Sequence, residues 1–247
     1  MGNMINAYIN TCIEQLQAIH KSSSKDIEEA AQAVALAVME DQHFFLFGSG
    51  HSALIAREAF WRAGGLAPAL PIPDPMSGDV ERLSGFAATL LAHYDLQAGD
   101  VIIIVSNSGI NHLPIEIALE SKTRGLTVIG LTCLNHSQSV QSRHSSGKKL
   151  LDIADIIIDT HGVMGDAAVP LPGTDIKVGA TSTVIGAAII EAITSRASEI
   201  MQEKGFNPPV VVSVNTPAGD AQNLKMVQRY RSQLVRYEVP TVDAPKN

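Results

Sequence analysis

The sequence predicts an α/β fold in which a parallel sheet is wound on both faces by helices, and three observations predict it. Short apolar runs alternate along the chain with segments of helical periodicity, the pattern of parallel strands joined by helical crossovers. Hydrophobic residues make up 45% of the 247 residues and charged residues 17%, enough apolar material for a buried core and too little charge for a disordered chain. Turns rich in glycine and serine follow two of the strongest apolar runs, at residues 48–52 and 106–111. The chain divides into a helical arm (1–42), an α/β core (43–205) and a C-terminal extension (206–247). These form one domain, because neither end carries enough apolar residues for its own core.

The elements follow in order. Met4, Tyr8, Ile9, Cys12, Ile13, Leu16 and Ile19 recur at the helical period and predict an amphipathic helix over Asn3–His20. A polar break at Lys21–Lys25 follows, and Ser24 or Asp26 caps a second helix through Met39. His43–Phe47 is the first strand. A helix runs from Ser52 to Ala63, stopped by Gly64-Gly65. Ala69–Ile72 is a weak second strand, Pro73–Gly78 a loop and Val80–Tyr94 a helix. Val101–Val105 is the strongest strand, followed by a helix over Leu113–Arg124 with Pro114 in its first turn. Leu126–Thr132 is the fourth strand, Ser137–Lys149 a loop or irregular helix, and Ile153–Asp159 the fifth strand. His161–Val178 is rich in Gly and Pro and predicts a long loop. A long, largely buried helix spans Ala180–Glu203, a possible extra strand Val210–Val214, and a polar helix Ala221–Tyr237.

Composition excludes several functions. A formal net charge of −7 repels nucleic-acid phosphates, and 4% aromatics supply no base-stacking platform. The two cysteines, Cys12 and Cys133, form no CxxC pair and predict reduced thiols in a cytoplasmic setting. No apolar run approaches the roughly 18 residues of a membrane span, and the N-terminus lacks the pattern of a signal peptide. The histidines show no paired metal-ligand spacing, so neither a metal nor another cofactor is expected.

In a parallel sheet the turns after the strands share one edge, where ligands bind. Gly48-Ser49-Gly50-His51-Ser52 and Ser106-Asn107-Ser108-Gly109-Ile110-Asn111 are both predicted there. Helix-start N–H groups and serine hydroxyls suit a phosphate. The absence of a GxxxxGK[ST] motif argues against nucleotide hydrolysis. Either turn is also readable as a tight connection. A third polar cluster, Thr181-Ser182-Thr183, opens the long helix as a cap or as a further ligand contact.

The segments FLFGSGHS, VIIIVSNSGIN with its downstream IEIALESKTRGLTVIGLT, and KVGATSTVIGAAIIEAI together resemble the SIS (sugar isomerase) domain family. They span most of residues 43–203 in the expected order. The whole chain looks like a group of phosphoheptose-isomerase-like SIS proteins, with NPPVVVSVNTPAGDAQN similar to a tail segment of that group. The resemblance implies a three-layer, flavodoxin-like arrangement with a five-stranded parallel sheet, a homodimer or higher homo-oligomer, and a phosphorylated sugar bound at the sheet's carboxyl edge. By position, Ser52 matches the serine ending the first loop, and Ser106 and Ser108 match the SxS phosphate loop. Asn111 stands where that loop often carries threonine. The catalytic glutamate of heptose-phosphate isomerases and of N-acetylmuramic acid 6-phosphate etherases falls at Trp61 and Arg62 here, so that chemistry does not transfer by position.

Aldose–ketose isomerisation moves a proton between neighbouring carbons and needs a base and an acid. Glu58, one turn before Arg62, is the candidate base, and His51 the candidate acid or ligand orienter. Seven residues apart, they share a helix face, separated by roughly 10 Å along its axis. Glu58 is also readable as an ion-pair partner of Arg57, Arg62 or a second chain, a reading that competes with catalysis. Glu191, in an otherwise apolar helix, is either a structural partner or a base supplied across a subunit interface. His112 is a solvated helix start or a ligand contact. Asp166, and Asp220 with Asn223, are candidates for sugar hydroxyls. Lyase, deaminase or etherase chemistry on an amino-sugar phosphate, and non-catalytic sensing of a phosphosugar, remain alternatives to isomerisation.

Overall fold

The computed structural model describes residues 3–216 and 219–234. Its centre is a five-stranded, all-parallel sheet in the order β2-β1-β3-β4-β5, formed by β1 (Phe44–Gly48), β2 (Ala69–Ile72), β3 (Val101–Val105), β4 (Thr127–Thr132) and β5 (Ile156–Asp159). The strands are apolar on both faces because both faces are covered. Phe44, Leu46 and Ile103 point into one core; Phe45, Phe47, Ile102 and Ile104 point into the other. The first core is closed by α2 (Ser24–Met39), α3 (Ser52–Glu58) and α7 (Ser182–Glu203). The second is closed by α4 (Phe86–Leu91), α5 (His112–Thr123) and Tyr230 of α8 (Gly219–Leu234).

The strand order sets the site. The chain leaves β1 for β2 on one side and leaves β3 for β4 on the other. Right-handed crossovers then force α3 and α5 onto opposite faces. The two serine turns therefore stand side by side where the order reverses, since Gly48 pairs with Val105 at the ends of β1 and β3. Asp100, fully buried at the other end of β3, fixes that pairing: its carboxylate accepts from the backbone N–H of His43 at 2.8 Å and of Gln97 at 2.7 Å.

The helical pair at the N-terminus divides. α1 (Met4–Ser22) is joined to α2 through Ser23 alone, so the predicted break is a single residue. α2 buries Ala30, Ala31, Val34, Ala35 and Val38 against α7 and the sheet. α1 keeps Ile5, Ile9 and Ile13 exposed.

Several elements depart from the sequence expectation. The helix predicted over Ser52–Ala63 stops at Glu58, because Trp61 takes a φ of 47° and turns its ring into the opposite core. The helix predicted over Val80–Tyr94 shrinks to α4, because the N–H of Gly85 and the hydroxyl of Ser84 donate to Glu116 of α5 and hold the preceding residues as turns. Part of Ser137–Lys149 is helical, as α6 (Leu134–Ser139). The loop predicted over His161–Val178 contains an antiparallel hairpin, β6 (Ala167–Pro170) with β7 (Lys177–Ala180). It packs on α1, where the Tyr8 hydroxyl donates to the carbonyl of Ala180 at 2.8 Å. The extra strand at Val210–Val214 reduces to one antiparallel bridge, Leu66 to Val210, beside Pro209, which has no N–H to extend a ladder. Residues 235–237 of the last predicted helix lie outside the described residues. No helix among the described residues is long and apolar enough to cross a membrane.

Ile103 is fully buried at the centre of the sheet. Ile103→Ala is expected to lower unfolding free energy by about 3 kcal/mol, read as a reduced urea midpoint with an unchanged slope.

Candidate functional site

The second serine turn leaves several backbone donors unused among the described residues. β3 ends at Val105, and the Ser106 N–H donates to Leu131, keeping the turn in line with the sheet. The buried Ser106 hydroxyl accepts from the Gly109 N–H at 3.2 Å. Gly109 has a φ of 64°, and a Cβ there would press on Thr132, Leu150 and Ser137 at 3.2–3.3 Å, so only glycine fits this bend. The Asn107 carbonyl accepts from Cys133 N–H, and those of Gly109 and Ile110 accept from Leu150 and Arg143 N–H. The N–H groups of Asn107, Ser108, Ile110 and Asn111 donate to no group among the described residues. They gather at the start of α5, a 12-residue helix whose dipole favours negative charge at this end.

A cation completes this turn. Arg143, from the segment after α6, places Nη1 2.6 Å from Oδ1 of Asn111. Sequence reading found no basic residue in either turn and missed Arg143, which lies 32 positions beyond Asn111. Further buried polar atoms nearby lack partners among the described residues: Ser137 Oγ, Thr160 Oγ1 and the Nδ1 of His136. Burial, and then the Arg143 charge, push the His136 imidazole below its ordinary range. Burial also raises the Cys133 thiol, which donates to the Gly162 carbonyl.

The first serine turn is differently committed. A Cβ on Gly48 would lie 2.3 Å from the Ser52 carbonyl oxygen, so the close turn into α3 demands glycine. Asp74, which the sequence did not single out, accepts from the Gly50 N–H at 2.8 Å and the Ser49 hydroxyl at 3.1 Å. Ser49 and Gly50 are thus spent on shaping the loop around a carboxylate. Ser52 keeps its hydroxyl unbonded among the described residues, and the His51 side chain is exposed with no hydrogen bond among them, its carbonyl accepting from the Leu54 N–H. A cavity of about 520 Å³ opens beside this turn, lined by Gly50, Leu54, Arg57, Phe60, Pro73 and Asp74.

The third polar cluster turns inward on itself. Asp166 accepts from the N–H groups of Thr181 and Ser182 at 3.1 and 2.8 Å and from the Ser182 hydroxyl at 2.6 Å. A carboxylate already occupies the start of α7 as its cap, so Asp166 and Ser182 meet each other there. Thr181 Oγ1 is buried without a partner among the described residues. Thr183 is exposed and shares a cavity of about 280 Å³ with Leu54, Arg57 and Glu58.

The candidate carboxylates meet on one guanidinium. Glu58 accepts from Arg62, and Glu191 lies 3.5 Å from the same Nη1. Glu191 is 36% exposed, so its neighbourhood is less enclosed than the apolar helix predicts. Asn223 is structural: its amide accepts from and donates to the backbone of Val212. His112 comes together with Glu116 and His144 in a cluster of metal-ligand type that the histidine spacing alone did not reveal.

A family model described as "SIS domain" matches residues 7–133, slightly more than half of the chain. This protein belongs to the SIS domain family. The UPF0309 protein of Listeria monocytogenes serotype 4b is 39% identical over 240 residues, covering 94% of this chain and 97% of that protein. Among solved structures, the SIS-domain chain resembles a phosphoheptose isomerase from Neisseria gonorrhoeae, with a TM-score of 0.54 and 20% identity over 81% of this chain and 97% of the other. It also resembles the Vibrio vulnificus NanR protein complexed with ManNAc-6P, with a TM-score of 0.52 and 16% identity over 96% and 70% of the two chains. At these identities the structural likeness establishes the three-layer fold.

The Asp166 cap is testable on its own. Asp166→Ala removes three hydrogen bonds to a helix start and is expected to cost about 2 kcal/mol in urea unfolding. An unchanged midpoint contradicts the cap.

Proposed function

We propose that this SIS-domain protein binds a phosphorylated sugar, with the phosphate seated on residues 107–111, and interconverts its aldose and ketose forms. One observation carries the binding half: four backbone N–H groups with no partner among the described residues lie at the start of α5, in the turn that Arg143 joins, where the strand order reverses. An anion is what such a set of donors lacks, and a dianionic phosphate satisfies them with charge-assisted hydrogen bonds. Phosphosugar recognition also agrees with what the neighbouring folds are described as acting on or binding, a phosphoheptose isomerase and a protein complexed with ManNAc-6P.

The catalytic half assigns proton transfer to Glu58, with Arg62 orienting its carboxylate, and gives His51 the role of acid or ligand orienter. Glu191 positions Arg62 from α7. Ser52 and Thr183 supply hydroxyls to the sugar from the two sides of α3. A homodimer is part of the proposal, with the exposed Ile5, Ile9 and Ile13 of α1 as contact surface. A second reading, a phosphosugar sensor without turnover, is favoured by one feature: both candidate carboxylates are already paired with Arg62, so neither stands free as a base.

Calorimetric titration with a panel of sugar phosphates tests the binding half. A phosphorylated sugar is expected to bind where its unphosphorylated parent does not. Ser108→Ala and Arg143→Ala are each expected to weaken that binding by about tenfold. Equal affinity for the unphosphorylated sugar contradicts the reading. NMR of the bound sugar then tests turnover. Glu58→Gln is expected to abolish exchange of the proton on the carbon next to the carbonyl while leaving affinity within about threefold of wild type. No exchange in the wild-type protein selects the sensor.

A further inference from the structure

We propose that His112, Glu116 and His144 hold a divalent transition-metal ion of the zinc class, at a site independent of the phosphosugar reading. His112 and Glu116 stand four residues apart on α5, one turn of helix, and so share a face. His144 reaches them from the segment that follows α6. One ligand atom from each residue lies within 4.8 Å of the others, and Nε2 of His144 is 3.9 Å from Oε1 of Glu116. Two imidazoles and one carboxylate are the donor set of open zinc sites, with a fourth position left for water or another oxygen. Tetrahedral coordination puts neighbouring ligand atoms about 3.3 Å apart. The ligand atoms therefore need to close in by up to about 1.5 Å.

Two further features belong to a metal site. First, two of the three ligands are held from behind, as metal ligands generally are. Glu116 accepts from the Gly85 N–H at 2.8 Å and from the Ser84 hydroxyl at 3.0 Å, which fixes its carboxylate and leaves it lone pairs to spare. His144 Nδ1 meets the Ser146 hydroxyl at 2.7 Å and accepts from the Ser146 N–H at 3.2 Å; binding a metal through Nε2 moves the ring proton to Nδ1, which keeps the hydroxyl bond and gives up the backbone one. Second, Nδ1 of His112 is buried with no hydrogen-bond partner among the described residues. The rings of His112 and His144 lie edge to face, 5.4 Å between centroids. Two imidazoles this close, sharing one carboxylate, gain most from a shared cation. The side chains of Glu116 and His144 are only 14% and 11% exposed, which limits competition from bulk water. Arg143 is the opposing charge, next to His144 in the chain and bonded to Asn111. Its side chain is on the exposed side of the segment, where solvent screens it. An ion here ties residues 140–149 to the start of α5.

The test uses the full chain stripped with a chelator, given one equivalent of Zn²⁺ and passed through a desalting column. Wild type is expected to retain about one zinc per chain by elemental analysis, and Co²⁺ in its place to give the intense visible bands of a low-coordinate site. Zinc at 100 times its Kd is expected to raise the melting temperature by about 5 °C. His144→Ala and Glu116→Gln are expected to lose retention and the rise together. His112→Asn serves as the variant whose metal-free melting temperature is compared with wild type, so that lost binding is separated from lost folding. Retention by wild type at background level overturns the proposal. So does retention undiminished in the variants, which would assign the metal elsewhere, for example to a cysteine.

Discussion

The pairing of β1 with β3 is the constraint on which the rest of the molecule depends. It ends both strands at one level, Gly48 opposite Val105, with β2 on one side and β4 on the other. Handedness then decides everything nearby. Because each crossover must be right-handed, α3 and α5 cannot share a face, and the two turns that precede them are left open to each other at the sheet edge. Two cores follow from the same arrangement, and the strands carry apolar residues on both faces to serve them. The carboxylate of Asp100, buried at the opposite end, ties the beginnings of the same two strands together.

The two turns look alike in sequence and are chemically opposite in the structure. The first is closed around Asp74, a carboxylate that consumes the Ser49 hydroxyl and the Gly50 N–H. In the second, the carbonyls of Asn107, Gly109 and Ile110 accept hydrogen bonds, while the N–H groups of Asn107, Ser108, Ile110 and Asn111 donate to no group among the described residues. The start of α7 repeats the logic of the first, with Asp166 in the place a ligand would take. Three loops rich in Ser and Gly thus divide into one whose backbone donors are unused among the described residues and two whose donors are taken by a carboxylate. The difference is made by residues remote in the chain.

That difference explains what was legible in the sequence. β1, β3 and β4 were plain because a buried parallel strand is an unbroken apolar run, and the serine turns were plain because they follow such runs. The hairpin β6–β7 was hidden by its Gly and Pro content, which reads as loop, and is stabilised by Tyr8 from 172 positions away. The early end of α3 was hidden because Trp61 leaves the helix to bury its ring in the far core, a tertiary gain that outweighs helix propensity. Asp74, Arg143 and His144 were missed for one reason: each acts across a long loop closure, and no local pattern marks them. His112 and Glu116 did carry a local signal, the spacing of one helical turn, but it gained meaning only with the third residue in place. The pairing of Glu58 and Glu191 through Arg62 likewise joins α3 to α7, two elements more than a hundred residues apart.

The central claim is that the unspent N–H groups of residues 107–111 are the phosphate seat. The most direct measurement is an amide-resolved NMR titration of the labelled protein with a binding sugar phosphate. The account predicts that the amide protons of Asn107, Ser108, Ile110 and Asn111 move downfield together, as new hydrogen bonds to an anion form. Shifts confined to residues 49–52 or 181–183, with those four amides unmoved, would contradict it.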